Sequence, residues 1–219
     1  MRDLSLCVIT DATLVPGRSH ARIAEEALAG GAPMIQIREK RPQMRSLLTE
    51  ARRIREMCTR AGATLILNDR LDLACLVGAD GVHLGQDDLP PAVARTLLPR
   101  EKMVGVSTHS VEQARRAEAD GATYIGIGPI FLTPTKETGY PARGLDTIRA
   151  VRKVTSLPLI AIGGMTLERA ADAIRAGADG VAVISAVVTA PRIRDVVEEF
   201  LSVIRAARES RDSPGGERR

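Results

Sequence analysis

Short apolar runs recur along the chain, and most of them stop on a polar or glycine-rich cluster. Met34–Ile37 runs into Arg38-Glu39-Lys40, Thr64–Leu67 into Asn68-Asp69, and Gly81–Leu84 into Gly85-Gln86-Asp87-Asp88. Met103–Val106 runs into Ser107-Thr108-His109, and Tyr124–Ile127 into Gly128 and then Thr133-Pro134-Thr135-Lys136. Leu159–Ile162 meets Gly163-Gly164, and Gly180–Ile184 meets Ser185. Apolar runs this short, bounded by turn residues, predict buried strands. Eight are counted, near residues 4–10, 34–38, 64–68, 80–84, 103–107, 123–127, 158–162 and 180–184. Between them the spacing turns helical. Leu47, Ala51, Ile54, Cys58 and Ala61 share one face, as do Leu167, Ala170, Ala171 and Ile174, and then Ile193, Val196, Val197, Phe200 and Leu201.

A weak echo accompanies this alternation: a helix, then Gly-Ala, then a strand. It occurs at Gly31-Ala32, Gly62-Ala63, Gly78-Ala79, Gly121-Ala122 and Gly177-Ala178. Glycine fits a helix C-cap, where positive φ is needed. The repetition argues for one strand–helix unit used many times. The expected fold is therefore α/β, a single (β/α)8 TIM barrel over residues 1–207, with residues 208–219 as a polar tail. An open doubly wound sheet is the competing architecture. It commonly carries a glycine fingerprint after its first strand, and Asp11–Gly17 holds none. Phe131–Arg143 reads as a long loop of the kind that is often functional. If the strands are parallel, their C-terminal ends put all the polar clusters on one face, where such barrels keep their active sites.

Composition narrows this picture. Hydrophobic residues make up 44% of the chain and aromatic residues 2%, so the core is built from branched aliphatics and alanine, as suits a parallel barrel. The net charge of +4 invites a nucleic-acid reading. Basic and acidic residues nevertheless alternate along the helices, and stacking aromatics are scarce, so a solvated helical face is expected and no nucleic-acid partner. Cys7, Cys58 and Cys75 are scattered and read as packed, reduced thiols. No apolar run approaches the roughly 18 residues that span a bilayer. A cytoplasmic protein with no membrane partner is expected; a homo-oligomer is a possible state.

The chemistry-bearing residues follow the strands. Arg38 and Lys40, with Gln36 before them, suit a diphosphate, since a planar fork and a compact charge complement its oxygens; an exposed charged loop is the rival reading. Asp69 and Asp88 follow neighbouring strands and could share a Mg²⁺ ion held by one or two carboxylates plus phosphate oxygens. In isolation helix N-capping suits them better; beside two basic residues, metal binding overtakes it. Asn68 offers an acceptor beside Asp69. His83, inside a strand, reads as a satisfied interior residue, His20 as a surface residue at a helix start, and His109 as a cap or an acid/base group. Thr133, Thr135 and Lys136 lie on the long loop and can bond anionic oxygens. Gly163-Gly164 and Ile184-Ser185 follow the last two strands, where many barrels bind phosphate. The sum is two anion sites with Ser107 and Lys136 between them, which suggests joining a diphosphate electrophile to a phosphorylated nucleophile.

Taken in order, Gln36-Ile37-Arg38-Glu39-Lys40, Asn68-Asp69-Arg70, Gly81–Asp88, Gly105–His109, Gly128–Lys136 and Ala161–Gly164 resemble the thiamine-phosphate synthase (thiamine-phosphate pyrophosphorylase) family, over roughly residues 5 to 190. That family joins 4-amino-2-methyl-5-hydroxymethylpyrimidine diphosphate to 4-methyl-5-hydroxyethylthiazole phosphate, giving thiamine phosphate and diphosphate. The resemblance implies that Gln36, Arg38, Lys40 and Asn68 contact the pyrimidine diphosphate, and that Asp69 and Asp88 bind Mg²⁺. It implies that Ser107 touches the pyrimidine and Lys136 the diphosphate, and that Thr133, Thr135, Gly164, Ile184 and Ser185 hold the thiazole phosphate. Arg38, Lys40, Ser107 and Lys136 are the expected catalytic groups. A thiazole tautomerase of the same barrel family, with a histidine near the end of strand 5, and a non-catalytic thiazole or thiamine phosphate binder are the alternatives.

Overall fold

The computed structural model describes residues 2–40, 43–133 and 141–213. Eight strands form the barrel wall: β1 (Leu6–Thr10), β2 (Met34–Ile37), β3 (Thr64–Asn68), β4 (Gly81–Leu84), β5 (Met103–Thr108), β6 (Tyr124–Ile127), β7 (Leu159–Ile162) and β8 (Gly180–Val183). Each pairs in parallel with the next, and β1 pairs with β8 through Leu6↔Val181, Cys7↔Ala182 and Val8↔Val183, so the sheet closes. All eight expected strands are present, and the doubly wound alternative is excluded by closure.

The helices between them are α1 (His20–Ala29), α2 (Met44–Ala61), α3 (Leu71–Val77), α4 (Pro91–Leu97), α5 (Val111–Ala119), α6 (Leu145–Arg152), α7 (Leu167–Arg175), α8 (Ser185–Val188) and α9 (Ile193–Asp212). Local chemistry starts and stops them. Ser19, Ser110 and Thr166 cap α1, α5 and α7 by accepting from the amides of Arg22, Gln113 and Arg169. Gly62 and Gly78 end α2 and α3 in the left-handed region, at φ 67° and 64°, as the Gly-Ala echo predicts. The stripe Leu47, Ala51, Ile54 and Cys58 is buried against the strands; Ala61, at the end of α2, is exposed. Burial pushes the thiols of Cys7 and Cys58 up to about 12, whereas Cys75 is exposed, contrary to its expected packing, because it lies on the outer face of α3.

The echo has a further purpose at the closed end of the barrel. After three of the five Gly-Ala pairs, the next side chain ties the new strand to the one before it. Asp80 Oδ2 accepts from the Leu65 amide at 2.8 Å, Asp179 Oδ2 from the Leu159 amide at 2.8 Å, and Thr123 Oγ1 from the Val104 amide at 2.9 Å. Arg55 of α2 and Arg152 of α6 pair with the two carboxylates at 2.5 and 2.9 Å. The tail boundary at 208 is corrected by the same end of the barrel. Helix α9 continues to Asp212 because Arg208 donates to the Asp179 carbonyl and Arg211 to those of Ile174 and Ala178.

Burial on its own would raise the Asp80 carboxyl, but the Leu65 amide and the Arg55 and Arg2 charges outweigh it and hold Asp80 below the ordinary carboxylate range. A depressed carboxyl contributes stability above its unfolded pKa and loses it as pH falls through the folded one. Asp80→Asn should therefore cost about 2 kcal/mol near neutral pH, with the gap to wild type closing on acidification. Urea unfolding at a series of pH values checks this. A gap that is constant with pH would show that charge at Asp80 contributes nothing.

Candidate active site

The C-terminal ends of the strands surround one cavity, lined from every side of the mouth by Gln36, Asn68, His83, Ser107, Gly164 and Ser185 among others. Arg38, Thr133 and Ile184 also line it. Thus eight of the expected site residues face a common space, although they come from six different strand ends. Lys40, Asp69 and Asp88 are not among its lining residues; they meet one another after β2, β3 and β4. Thr135 and Lys136 lie outside the described residues.

Each residue of the Arg38-Glu39-Lys40 cluster is engaged by a different element. Arg38 Nη1 donates to Asp11 Oδ2 at 2.6 Å, with both side chains largely buried, so the exposed-loop reading of Arg38 fails. Asp11 is itself fixed, since its other oxygen accepts from the Thr13 amide and hydroxyl at 3.0 and 2.6 Å. Glu39 lies 3.4 Å from His20 Nε2, and His20 Nδ1 lies 2.7 Å from Thr10 Oγ1. His20 is accordingly buried, not the surface residue expected, because the first turn of α1 rests on the end of β1. Lys40 Nζ donates to Asp69 Oδ2 at 2.5 Å.

Asp69 is the one non-glycine residue among those described with positive φ, at 62°. Aspartate tolerates this region better than most residues, at some cost in strain. The turn lets Asn68 line the cavity while Asp69 reaches Lys40 and Asp88. Neither carboxylate caps a helix: the N-cap positions of α3 and α4 are Arg70 and Pro90, without side-chain caps. Asp88 instead accepts from the Gly85 amide at 2.7 Å and lies within hydrogen-bonding reach of Asp69. Burial would raise Asp69, but hydrogen bonds from Lys40 and Asp88 and the Lys40 charge hold it below the ordinary range. Asp88 is pushed upward, by burial first and then by Asp69. Two carboxylates this close repel unless a proton or cation lies between them.

Across the mouth, Gly163 and Gly164 have φ of 103° and 60°. A Cβ at either would press on the base of the long loop, 2.6 Å from Pro129 Cβ and 2.5 Å from the Leu132 carbonyl. Their freedom is used first to seat that loop, whose Phe131 amide donates to the Gly163 carbonyl at 3.2 Å. Arg169 donates to the Gly164 carbonyl at 2.7 Å and stacks 4.8 Å over the Phe131 ring. Ser185 opens α8, a single turn, so its open amides rather than a long helix dipole supply the local positive field. His109 follows β5 directly, half-buried on the cavity wall, and its Nδ1 contacts the Gly128 carbonyl.

Several participants had no sequence signal. Asp11 sits in what reads as an ordinary loop. Tyr124 and Cys7 look like core residues, yet both line the cavity. The Cys7 thiol stays protonated at about 12, so it is no nucleophile. Removing the Asp11 charge leaves Arg38 buried without its partner, so Asp11→Asn should lower unfolding free energy by about 3 kcal/mol. Denaturant titration checks it, and an unchanged midpoint would mean that the pair does not hold β1 to β2.

The sequence profile described as thiamine monophosphate synthase matches residues 6–187. A thiamine-phosphate synthase from Methanospirillum hungatei is 50% identical over 202 residues, covering 92% of this chain and 98% of that protein. One from Chloroflexus aurantiacus is 47% identical over 207 residues, covering 94% and 95%. Among solved structures, a thiamine phosphate pyrophosphorylase from Pyrococcus furiosus superposes with a TM-score of 0.85 at 36% identity, covering 94% of this chain and 98% of its own.

Proposed function

The chain belongs to the thiamine monophosphate synthase family, and we propose that it is a transferase that joins 4-amino-2-methyl-5-hydroxymethylpyrimidine diphosphate to 4-methyl-5-hydroxyethylthiazole phosphate. The products are thiamine phosphate and diphosphate. The observation that carries this reading is the meeting of Asp69 and Asp88 at the ends of β3 and β4, with Lys40 paired to Asp69 and Arg38 paired to Asp11 on the same strand-end loop as Lys40. Adjacent carboxylates ask for a cation, and the basic pair next to them asks for an anion; a metal diphosphate is both.

The donor set suits Mg²⁺. No group of three His, Cys, Asp or Glu side chains able to hold a metal occurs among the described residues. The protein would supply two carboxylates, leaving the other positions to water and diphosphate oxygens, as this ion prefers. When bound, the ion would neutralise charge on the departing diphosphate. Lys40 is already at Asp69 and would turn to the diphosphate beside Arg38, whose guanidinium keeps donors beyond the one given to Asp11. Lys136, outside the described residues, would be a third cation for the same group.

In this reading the methylene C–O bond breaks with its electrons leaving on the diphosphate, and the aminopyrimidine ring stabilises the resulting cation. The thiazole nitrogen then supplies the electron pair of the new C–N bond. Gln36, Asn68 and Ser107 would fix the pyrimidine. Thr133, Thr135, Gly164, Ile184 and Ser185 would fix the thiazole phosphate, so that the two reacting atoms meet in line. No side-chain nucleophile is required, in keeping with the buried, protonated Cys7. No helix among the described residues is long and apolar enough to cross a membrane. Action on small molecules in the cytoplasm, as a monomer or a homo-oligomer, completes the proposal.

Purified protein given both substrates and Mg²⁺ should form thiamine phosphate, and chelation of divalent metal should abolish product. Chromatography of the product is the measurement. Isomerised thiazole phosphate without thiamine phosphate would favour a tautomerase, and binding without turnover a non-catalytic binder. Lys136→Ala should lower kcat at least about 100-fold, the order of loss for one preorganised charge contact, with unfolding unchanged. Full turnover in that variant would remove Lys136 from the chemistry.

A further inference from the structure

Tyr124 and His83, which the roles above leave unused, join Ser107 in a hydrogen-bonded line at the cavity. Tyr124 on β6 places its hydroxyl 2.9 Å from His83 Nδ1 on β4, and His83 Nε2 lies 2.9 Å from Ser107 Oγ on β5. Tyr124 is 1% exposed, and its ring fits because position 105 is glycine; a Cβ there would overlap the ring. The interior is thus shaped to admit one phenol beneath one imidazole, with Ser107 above them at the ligand's level.

The direction of the line follows from satisfaction of its buried end. A hydroxyl sealed from water must donate its proton or leave it unsatisfied, which is costly. Burial pushes the Tyr124 hydroxyl well above its ordinary range, so it remains a protonated phenol. Its hydrogen-bond partner is His83 Nδ1. The phenol therefore donates to Nδ1, the imidazole proton is placed on Nε2, and that N–H donates to Ser107 Oγ. Ser107 keeps its own proton and turns it toward the cavity that it lines. In the opposite tautomer Ser107 would give its proton to His83 and offer the ligand only lone pairs.

We propose that Tyr124 and His83 are positioning residues that make Ser107 a hydrogen-bond donor toward the pyrimidine diphosphate, whose ring nitrogens and phosphate oxygens are acceptors. The identity of that acceptor rests on the synthase reading; the direction of the line does not. Neither Tyr124 nor His83 needs to touch substrate. Their effect is to select the state of the one hydroxyl that does, so that orientation is set before the ligand arrives.

The test begins on ligand-free protein labelled with ¹⁵N-histidine. The chain has 3 histidines, so loss of one signal in His83→Gln assigns His83. Ring ¹⁵N shifts separate the two neutral tautomers and the cation. Wild type should show the Nε2–H tautomer at His83, and Tyr124→Phe, which keeps the ring, should lose that preference. An Nδ1–H tautomer or a cation in wild type would overturn the proposal. A kinetic cycle supplies the second reading. Tyr124→Phe should lower kcat/KM about tenfold in wild type, as for one misdirected hydrogen bond, and have no further effect in Ser107→Ala. Equal losses in both backgrounds would reduce Tyr124 to packing and overturn the link to Ser107. If wild type forms no thiamine phosphate, the synthase reading falls, while the tautomer in the ligand-free protein still decides the line.

Discussion

Closure of the ring between β1 and β8 is the constraint on which the rest depends. Eight strands in an open sheet would leave Asp11, at the end of β1, at one edge and Ile184-Ser185, after β8, at the other. Pairing Leu6 with Val181 brings both ends to one mouth. The seam has little tolerance, since a Cβ at Gly180 would overlap the Leu4 carbonyl. Elsewhere the wall is sewn by one device used three times, an oxygen side chain after a Gly-Ala pair holding the amide of the strand before. Stability is concentrated at that closed end. The open end is left to polar groups that a different selection has arranged.

At the open end, charge is balanced locally without being quenched. Arg38 has Asp11 and Lys40 has Asp69, yet Asp69 must also face Asp88. The basic residues are thus held in place by carboxylates that a phosphate-rich ligand would compete with. Holding charged groups with other charged groups costs little reorganisation when the ligand enters, because the partners are exchanged and not created. The left-handed turn at Asp69 is the local strain that this arrangement carries.

The two sides of the mouth are built differently. On the β2–β4 side, long charged side chains reach inward from rigid strand ends. On the β7–β8 side, backbone comes close because Gly163 and Gly164 have no side chains, and the loop after β6 rests on them. Between the two lies the Tyr124–His83–Ser107 line, reaching from core to cavity. A charged pocket, a backbone cradle and a side-chain hydrogen-bond line make different demands on residue type, which is why the cavity wall mixes Arg, Gly, Ser and Tyr.

The sequence by itself determined the strand count, the parallel barrel and the rank of polar clusters at strand ends, because apolar periodicity and Gly-Ala punctuation are local signals. It also pointed to Arg38, Lys40, Asn68, Asp69, Asp88 and Ser107, whose residue types are unusual directly after an apolar run. What only the tertiary structure decided are the partnerships. Asp11 is 27 residues from Arg38, and Tyr124 is 41 from His83. His20 looks like a helix-surface residue until the end of β1 covers it. Asp69 and Asp88 look like caps until the N-cap positions are seen to lie elsewhere. Such pairings depend on which strands become neighbours and which way each turn aims its side chain. That information is carried by ring closure and is spread over the whole chain, not written at any one position.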